Sequence, residues 1–72
     1  MTTTTAKYNT DHGMPYDRGR ADSYYDRPYE PHYYPAGTHR GERIVEGVMT
    51  ESQIQAYKVG YDDNERRGLK KG

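Results

Sequence analysis

The sequence predicts a small α-dominated protein. Two short helices are joined by a long, irregular, tyrosine- and proline-rich connection, with room for one short strand and a flexible N-terminal arm. Three observations predict this. A chain of 72 residues makes at most one domain, and so short a chain buries a smaller share of its surface than a larger one. Ile44, Val45, Val48, Ile54, Val59 and Leu69 are its only Ile, Val or Leu residues, and it has no Phe or Trp, so nine tyrosines must make up for the missing core. Two segments carry helix signals, and the stretch between them contains Pro28, Pro31 and Pro35. The expected organisation is an arm at 1–14, one small helical domain at 15–68 and a basic tail at 69–72.

Taken in order, residues 1–14 offer threonines, Asn, Asp and Gly without a periodic apolar face, the pattern of a terminus that frays unless docked. "DRGRADSYYDR" at 17–27 predicts a short helix with Asp17 as its cap and Pro28 as its stop. Ala21, Tyr24 and Tyr25 share one face of it. "PYEPHYYPAGTHRG" is expected to be extended, with a turn at "PAG". "ERIVEGVM" at 42–49 reads as a short strand that Gly47 weakens.

The strongest local signal is "TESQ" at 50–53, a capping box with Thr as N-cap and Gln three residues on. Ile54, Tyr57 and Tyr61 then form one helical stripe. Asp62 with Arg66 and Asp63 with Arg67 have i,i+4 spacing, and Gly68 is a natural stop. A helix over about 51–66 follows. Gly60 in its middle costs roughly 1 kcal/mol relative to Ala, which points to close approach of another backbone or ring.

Composition also excludes. Without cysteine there is no disulfide, thiolate zinc site or thiol nucleophile. No apolar run approaches the length of a membrane span, and the N-terminus lacks a signal-peptide centre, so a soluble chain in the cytoplasm is expected. Eleven basic and eleven acidic side chains argue against a nonspecific nucleic-acid coat. His12, His32 and His39 lack metal-ligand spacing and read as surface or packing residues, so neither metal nor cofactor is expected. Ser23 and Ser52 fall in helices with no evident His partner, and there is no glycine-rich phosphate loop. The expectation is a protein that binds rather than catalyses.

Tyrosine and arginine are enriched where proteins touch. Tyr24, Tyr57 and Tyr61 are expected to face inward, with Gly60 allowing close packing. Tyr29, Tyr33 and Tyr34, together with Arg27 and Arg40, are expected to face a macromolecular partner, a host protein or assembly. The competing reading makes all the rings core. An RNA-binding reading would use Arg18, Arg20, Arg66 and Arg67, against the repulsion of Asp17, Asp22, Asp26 and Glu30. Self-association as a homodimer is a further way for so thin a core to be stabilised.

Two blocks, "YDRGRADSYYDRPYEPHYYPAGTHRGERI" and "MTESQIQAYKVGYDDNE", resemble a group of small uncharacterised proteins of tailed phages and prophages. These carry an RGxAD-type helix, a Tyr/Arg/Pro/His segment and a Thr-capped helix ending in AYxxGY. The resemblance covers most of 16–65 and implies a phage accessory protein in a bacterial cytoplasm; a minor virion component that orders on assembly is a separate, third reading. More distantly, Arg18-Gly19, Pro28-Tyr29 and the Tyr57-to-Tyr61 step resemble ribosome modulation factor, a two-helix protein that helps inactivate ribosomes. That likeness implies RNA or ribosome binding. Arg27 stands where that family has a cysteine, and Tyr57 and Tyr61 stand where it has Trp.

Overall fold

The computed structural model describes residue 9 and residues 11–71. The order of elements is α1 (Pro15–Tyr24), β1 (His32–Tyr33), β2 (Ile44–Val45), a 3-10 turn (Glu46–Val48) and α2 (Glu51–Arg67). Two helices with an irregular connection and a minimal strand pair match the predicted class. Most of the predicted N-terminal arm lies outside the described residues. Its last part does not hang free: Gly13 is buried, its carbonyl accepts from the Tyr34 amide at 2.7 Å, and its own amide donates to the Asp17 carboxylate at 2.9 Å.

α1 begins two residues before its predicted start. Met14 is its N-cap without a side-chain cap bond, and Pro15 takes the first helical position, where a missing N–H costs nothing. Asp17 is therefore not the cap; it sits in the first turn and reaches back to Gly13. The helix also ends earlier than predicted, well before Pro28. Asp26 adopts a left-handed conformation (φ 58°), and the amides of Asp26 and Arg27 donate to the carbonyls of Ser23 (3.0 Å) and Asp22 (2.7 Å). This is a Schellman closure with Asp in place of the usual Gly.

β1 pairs antiparallel with β2, His32 opposite Val45 and Tyr33 opposite Ile44. The predicted strand at 42–49 shrinks to two residues because the chain winds into the 3-10 turn at Glu46. The turn at Pro35–Ala36 forms, closed by the Gly37 amide on the Tyr34 carbonyl at 2.9 Å.

α2 starts and stops as its sequence dictates. The Thr50 hydroxyl accepts from the Gln53 amide at 3.1 Å, and the Gln53 side chain accepts from the Thr50 amide at 2.9 Å. Gly68 closes the helix at φ 68°. Thr50→Ala removes half of this box and should cost about 1 kcal/mol, read as a shift of the urea midpoint with unchanged slope. The charge pairing differs from expectation: Asp62 takes Lys58 one turn earlier at 2.9 Å, and Asp63 takes Arg66 at i,i+3.

The helices cross where each presents a glycine. A Cβ built on Gly19 would lie 2.1 Å from the Tyr57 carbonyl oxygen, and one on Gly60 would lie 2.2 Å from that of Tyr16. The contacts are reciprocal because the sequences are. Tyr-x-x-Gly-x-x-Asp occurs at 16–22 and again at 57–63. Each tyrosine hydroxyl donates to the other helix's aspartate, Tyr16 to Asp63 at 2.7 Å and Tyr57 to Asp22. The residues that follow the two aspartates meet as well, Asn64 Nδ2 donating to Ser23 Oγ at 2.9 Å. This polar, glycine-seamed crossing takes the place of an aliphatic core.

The residues after α2 fold back on α1. Lys70 Nζ donates to the Ser23 carbonyl at 2.9 Å, the Lys71 amide to the Tyr24 carbonyl at 2.7 Å, and Asn64 Nδ2 to the Leu69 carbonyl at 2.7 Å. Lysine thereby supplies a positive charge at the C-terminal end of α1, where the helix dipole favours one.

Candidate functional site

The connection from α1 to β1 runs over α2 and is fixed there by two tyrosine hydroxyls. Tyr61 Oη donates to the Arg27 carbonyl at 2.8 Å, and Tyr57 Oη accepts from the Glu30 amide at 3.1 Å. With the Schellman bonds, this holds residues 25–30 in one conformation. Three rings at or near this stretch point outward: Tyr24 is 39% exposed, Tyr25 47% and Tyr29 46%. Tyr24 and Tyr25 meet edge to face at 5.1 Å, and the Arg27 guanidinium lies 5.0 Å from the Tyr25 ring centre, a cation–π distance. Tyr29 rests edge-on against Tyr57 and Tyr61, at 5.3 and 5.4 Å.

Of the residues expected to face a partner, Arg27, Tyr29 and Arg40 are exposed. Tyr33 is half-buried, and its hydroxyl accepts from Gln53 Nε2 at 3.1 Å. Tyr34 is a correction. It is only 8% exposed, because the buried Gly13 takes up its amide while Arg18, His32 and His39 surround its ring. Tyr24, expected to pack inward, is the second correction: α1 is shorter than predicted, and the Tyr24 ring lies beyond the glycine crossing. Tyr57 is fully buried and Gly60 is buried against the Tyr16 backbone, whereas Tyr61 is half-buried, with its hydroxyl on the Arg27 carbonyl.

Arg18 is the third correction. Its side chain is buried, with Nε donating to His32 Nε2 at 3.1 Å, which takes it out of an RNA-facing set. Arg20, Arg66 and Arg67 remain exposed.

Sequence reasoning missed the interior polar cluster. Asp22 and His32 are both buried, and Asp22 accepts from Tyr57. Burial, with the Asp22 hydrogen bond second, pushes the Tyr57 phenol far above its ordinary value. His32 Nδ1 lies 2.8 Å from the Glu30 carbonyl, so it carries the proton, and Nε2 is left to accept from Arg18. The repeated Tyr-x-x-Gly-x-x-Asp was the signal available in the sequence for this cluster.

The neutral His32 predicts a pH dependence. Burial is the main cause of its lowered pKa; the Arg43 and Arg18 charges add to it, and the Glu30 carbonyl and Asp22 oppose it. Asp22 and Arg18 from α1, Tyr57 from α2, and Glu30, Tyr34, His39 and Arg43 from the connection surround the ring. Below the ordinary value of 6.5 the unfolded chain binds a proton that the native state refuses, so the unfolded state holds more protons and stability rises with pH. This contribution is complete above that value and is lost as pH falls below it. The urea midpoint should drop between pH 7.5 and 5.5. Glu65, held low chiefly by Lys70 and next by Ser23, adds a loss in the same direction only below its ordinary 4.5.

Among the described residues, no group of three or more His, Asp or Glu is arranged to hold a metal ion, and no helix is long and apolar enough to cross a membrane. A scan of protein-family models, a search of curated proteins and a search of solved structures each gave no match.

Proposed function

We propose that this chain is a noncatalytic accessory protein of phage type, which binds and occludes a host protein or assembly through the surface made by Tyr25, Arg27 and Tyr29, with Tyr24 at its edge. One observation carries the reading: these exposed side chains stand on backbone that is already pinned. The Arg27 amide and carbonyl and the Glu30 amide are all hydrogen-bonded inside the molecule. Backbone that is already ordered loses little entropy on docking, and tyrosine brings a large contact area with few rotatable bonds, which is what separates an interface anchor from a merely exposed ring.

RNA binding is the second reading, favoured by a different observation. Arg20 on α1 and Arg66 and Arg67 on α2 are all exposed, and the Tyr16–Asp63 bond joins the first turn of α1 to the last turns of α2, where Arg66 also pairs with Asp63. Asp17, Asp63 and Glu65 lie on the same helices and dilute that charge.

The test is a pull-down from host lysate with wild type and Tyr25→Ala, each split into nuclease-treated and untreated halves. Circular dichroism confirms that the variant is folded. A discrete protein held by wild type in both halves, and lost about tenfold or more with Tyr25→Ala, supports the proposal. Ribosomal RNA and proteins that vanish with nuclease, and with Arg20→Ala or Arg67→Ala, would replace it with the second reading.

A further inference from the structure

A cavity of about 220 Å³ lies between α1, the segment entering β1 and the loop ahead of β2. Arg18, Arg27 and Arg43 line it, against two carboxylates, Asp22 and Glu30. A tyrosine and two histidines complete much of its wall. It has room for a tetrahedral ion with part of its hydration.

The arginines are poorly used by the protein itself. Arg18 approaches Asp22 at 3.5 Å, Arg27 approaches Asp22 at 3.7 Å and Arg43 approaches Glu30 at 3.6 Å. Charge-assisted bonds between guanidinium and carboxylate lie near 2.7–2.9 Å and are often bidentate, so none of these contacts is a full one. Asp22 gives its close hydrogen bond to the Tyr57 hydroxyl instead. Arg18 is the most telling. Only 5% of it is exposed, and its one close bond goes to neutral His32. Its other hydrogen bond, from Nη2 to Asp22, is long at 3.5 Å. A buried charge is ordinarily both paired and hydrogen-bonded, and here the pairing is left loose around an open cavity.

We propose that this cavity is a binding site for a phosphate-type oxyanion, held by Arg18 from the floor and by Arg27 and Arg43 from the rim. Planar guanidinium groups match phosphate oxygens two at a time, and three of them around one ion outweigh the two carboxylates. Arg18 provides rigidity, because His32 fixes Nε and the Tyr34 ring lies 5.6 Å beneath its guanidinium carbon. The anion is either free or the phosphoryl end of a larger molecule. The site shares Arg27 with the outward tyrosine surface, whereas Arg18 and Arg43 belong to the cavity alone.

The experiment titrates the full chain with inorganic phosphate, and separately with phenyl phosphate, against chloride at matched ionic strength. Arginine Nε–H and histidine ring resonances are followed by NMR. Saturable shifts confined to Arg18, Arg27, Arg43, His32 and His39 are expected. Arg43→Gln, at an exposed position and checked for folding by circular dichroism, should weaken binding roughly tenfold or more. Tighter binding of inorganic phosphate assigns a free ion, and tighter binding of the ester assigns a phosphoryl group carried by a larger molecule. Shifts no larger than those in chloride for both probes, or shifts that Arg43→Gln leaves unchanged, overturn the proposal.

Discussion

Gly60→Ala should unfold a large fraction of this protein's stability margin, even though alanine is the better helix former. In an open helix the substitution gains up to about 1 kcal/mol. Here the new methyl would meet the Tyr16 carbonyl oxygen at 2.2 Å, and that oxygen belongs to backbone that cannot rotate away. The helices must part, and overpacking of this kind costs about 1–3 kcal/mol, sometimes more. Parting them also stretches the Tyr16–Asp63 and Tyr57–Asp22 bonds, which depend on the same separation. The sterics win, and a net loss of about 2 kcal/mol or more is expected, out of roughly 4–10 kcal/mol for a domain of this size. Gly19→Ala should behave alike, since its methyl would meet the Tyr57 carbonyl oxygen at 2.1 Å. Gly47→Ala is the control: nothing lies within 4 Å of that position, and its urea midpoint should stay near wild type. Near-neutral results at both Gly19 and Gly60 would mean that the helices do not cross there.

Tyr57→Phe should come close to the same loss while removing a single oxygen. The ring would still fill its place, so the effect isolates the hydroxyl. That hydroxyl donates to the buried Asp22 carboxylate and accepts from the Glu30 amide. Without it, Asp22 keeps only the longer approaches of Arg18, Arg27 and His32, and the Glu30 amide loses its acceptor. A hydrogen bond to a buried charge is worth about 1.5–3 kcal/mol, and an orphaned donor adds to the cost, so a loss of about 2–3 kcal/mol is expected. Tyr16→Phe removes the symmetry-related bond to Asp63, which is only partly buried, and should cost less. The two variants are compared by urea denaturation near pH 7.5, where His32 is neutral. Equal, small losses would show that the crossing is held by ring packing rather than by its hydroxyl–carboxylate bonds.

The Tyr57 hydroxyl also links fold to surface. By accepting from Glu30 while Tyr61 donates to the Arg27 carbonyl, α2 holds the stretch that presents Tyr25 and Tyr29. Loss of this bond should loosen the proposed docking surface before the helices themselves melt. Binding to a partner would accordingly fall more with Tyr57→Phe than helicity does.

What the sequence determined by itself was local. The Thr50–Gln53 box and the Gly68 stop act within one or two turns, so residue type and spacing were enough to bound α2, while α1 was placed but neither of its ends was. Gly60 was readable as a close approach because a glycine in mid-helix is a cost that only packing explains. Which rings faced inward was decided by tertiary structure alone. Tyr24 and Tyr34 exchanged their expected places because α1 closed early on Asp26 and because Gly13 docked on Tyr34, neither of which leaves a periodic signal. Arg18 went inside for a similar reason: a charged side chain is buried only where distant groups meet it, and His32 and Tyr34 come from another part of the chain. The interior polar cluster depended on two copies of Tyr-x-x-Gly-x-x-Asp finding each other across the crossing. Each copy is visible in the sequence, but a hydrogen bond between residues so far apart exists only once the backbones have met.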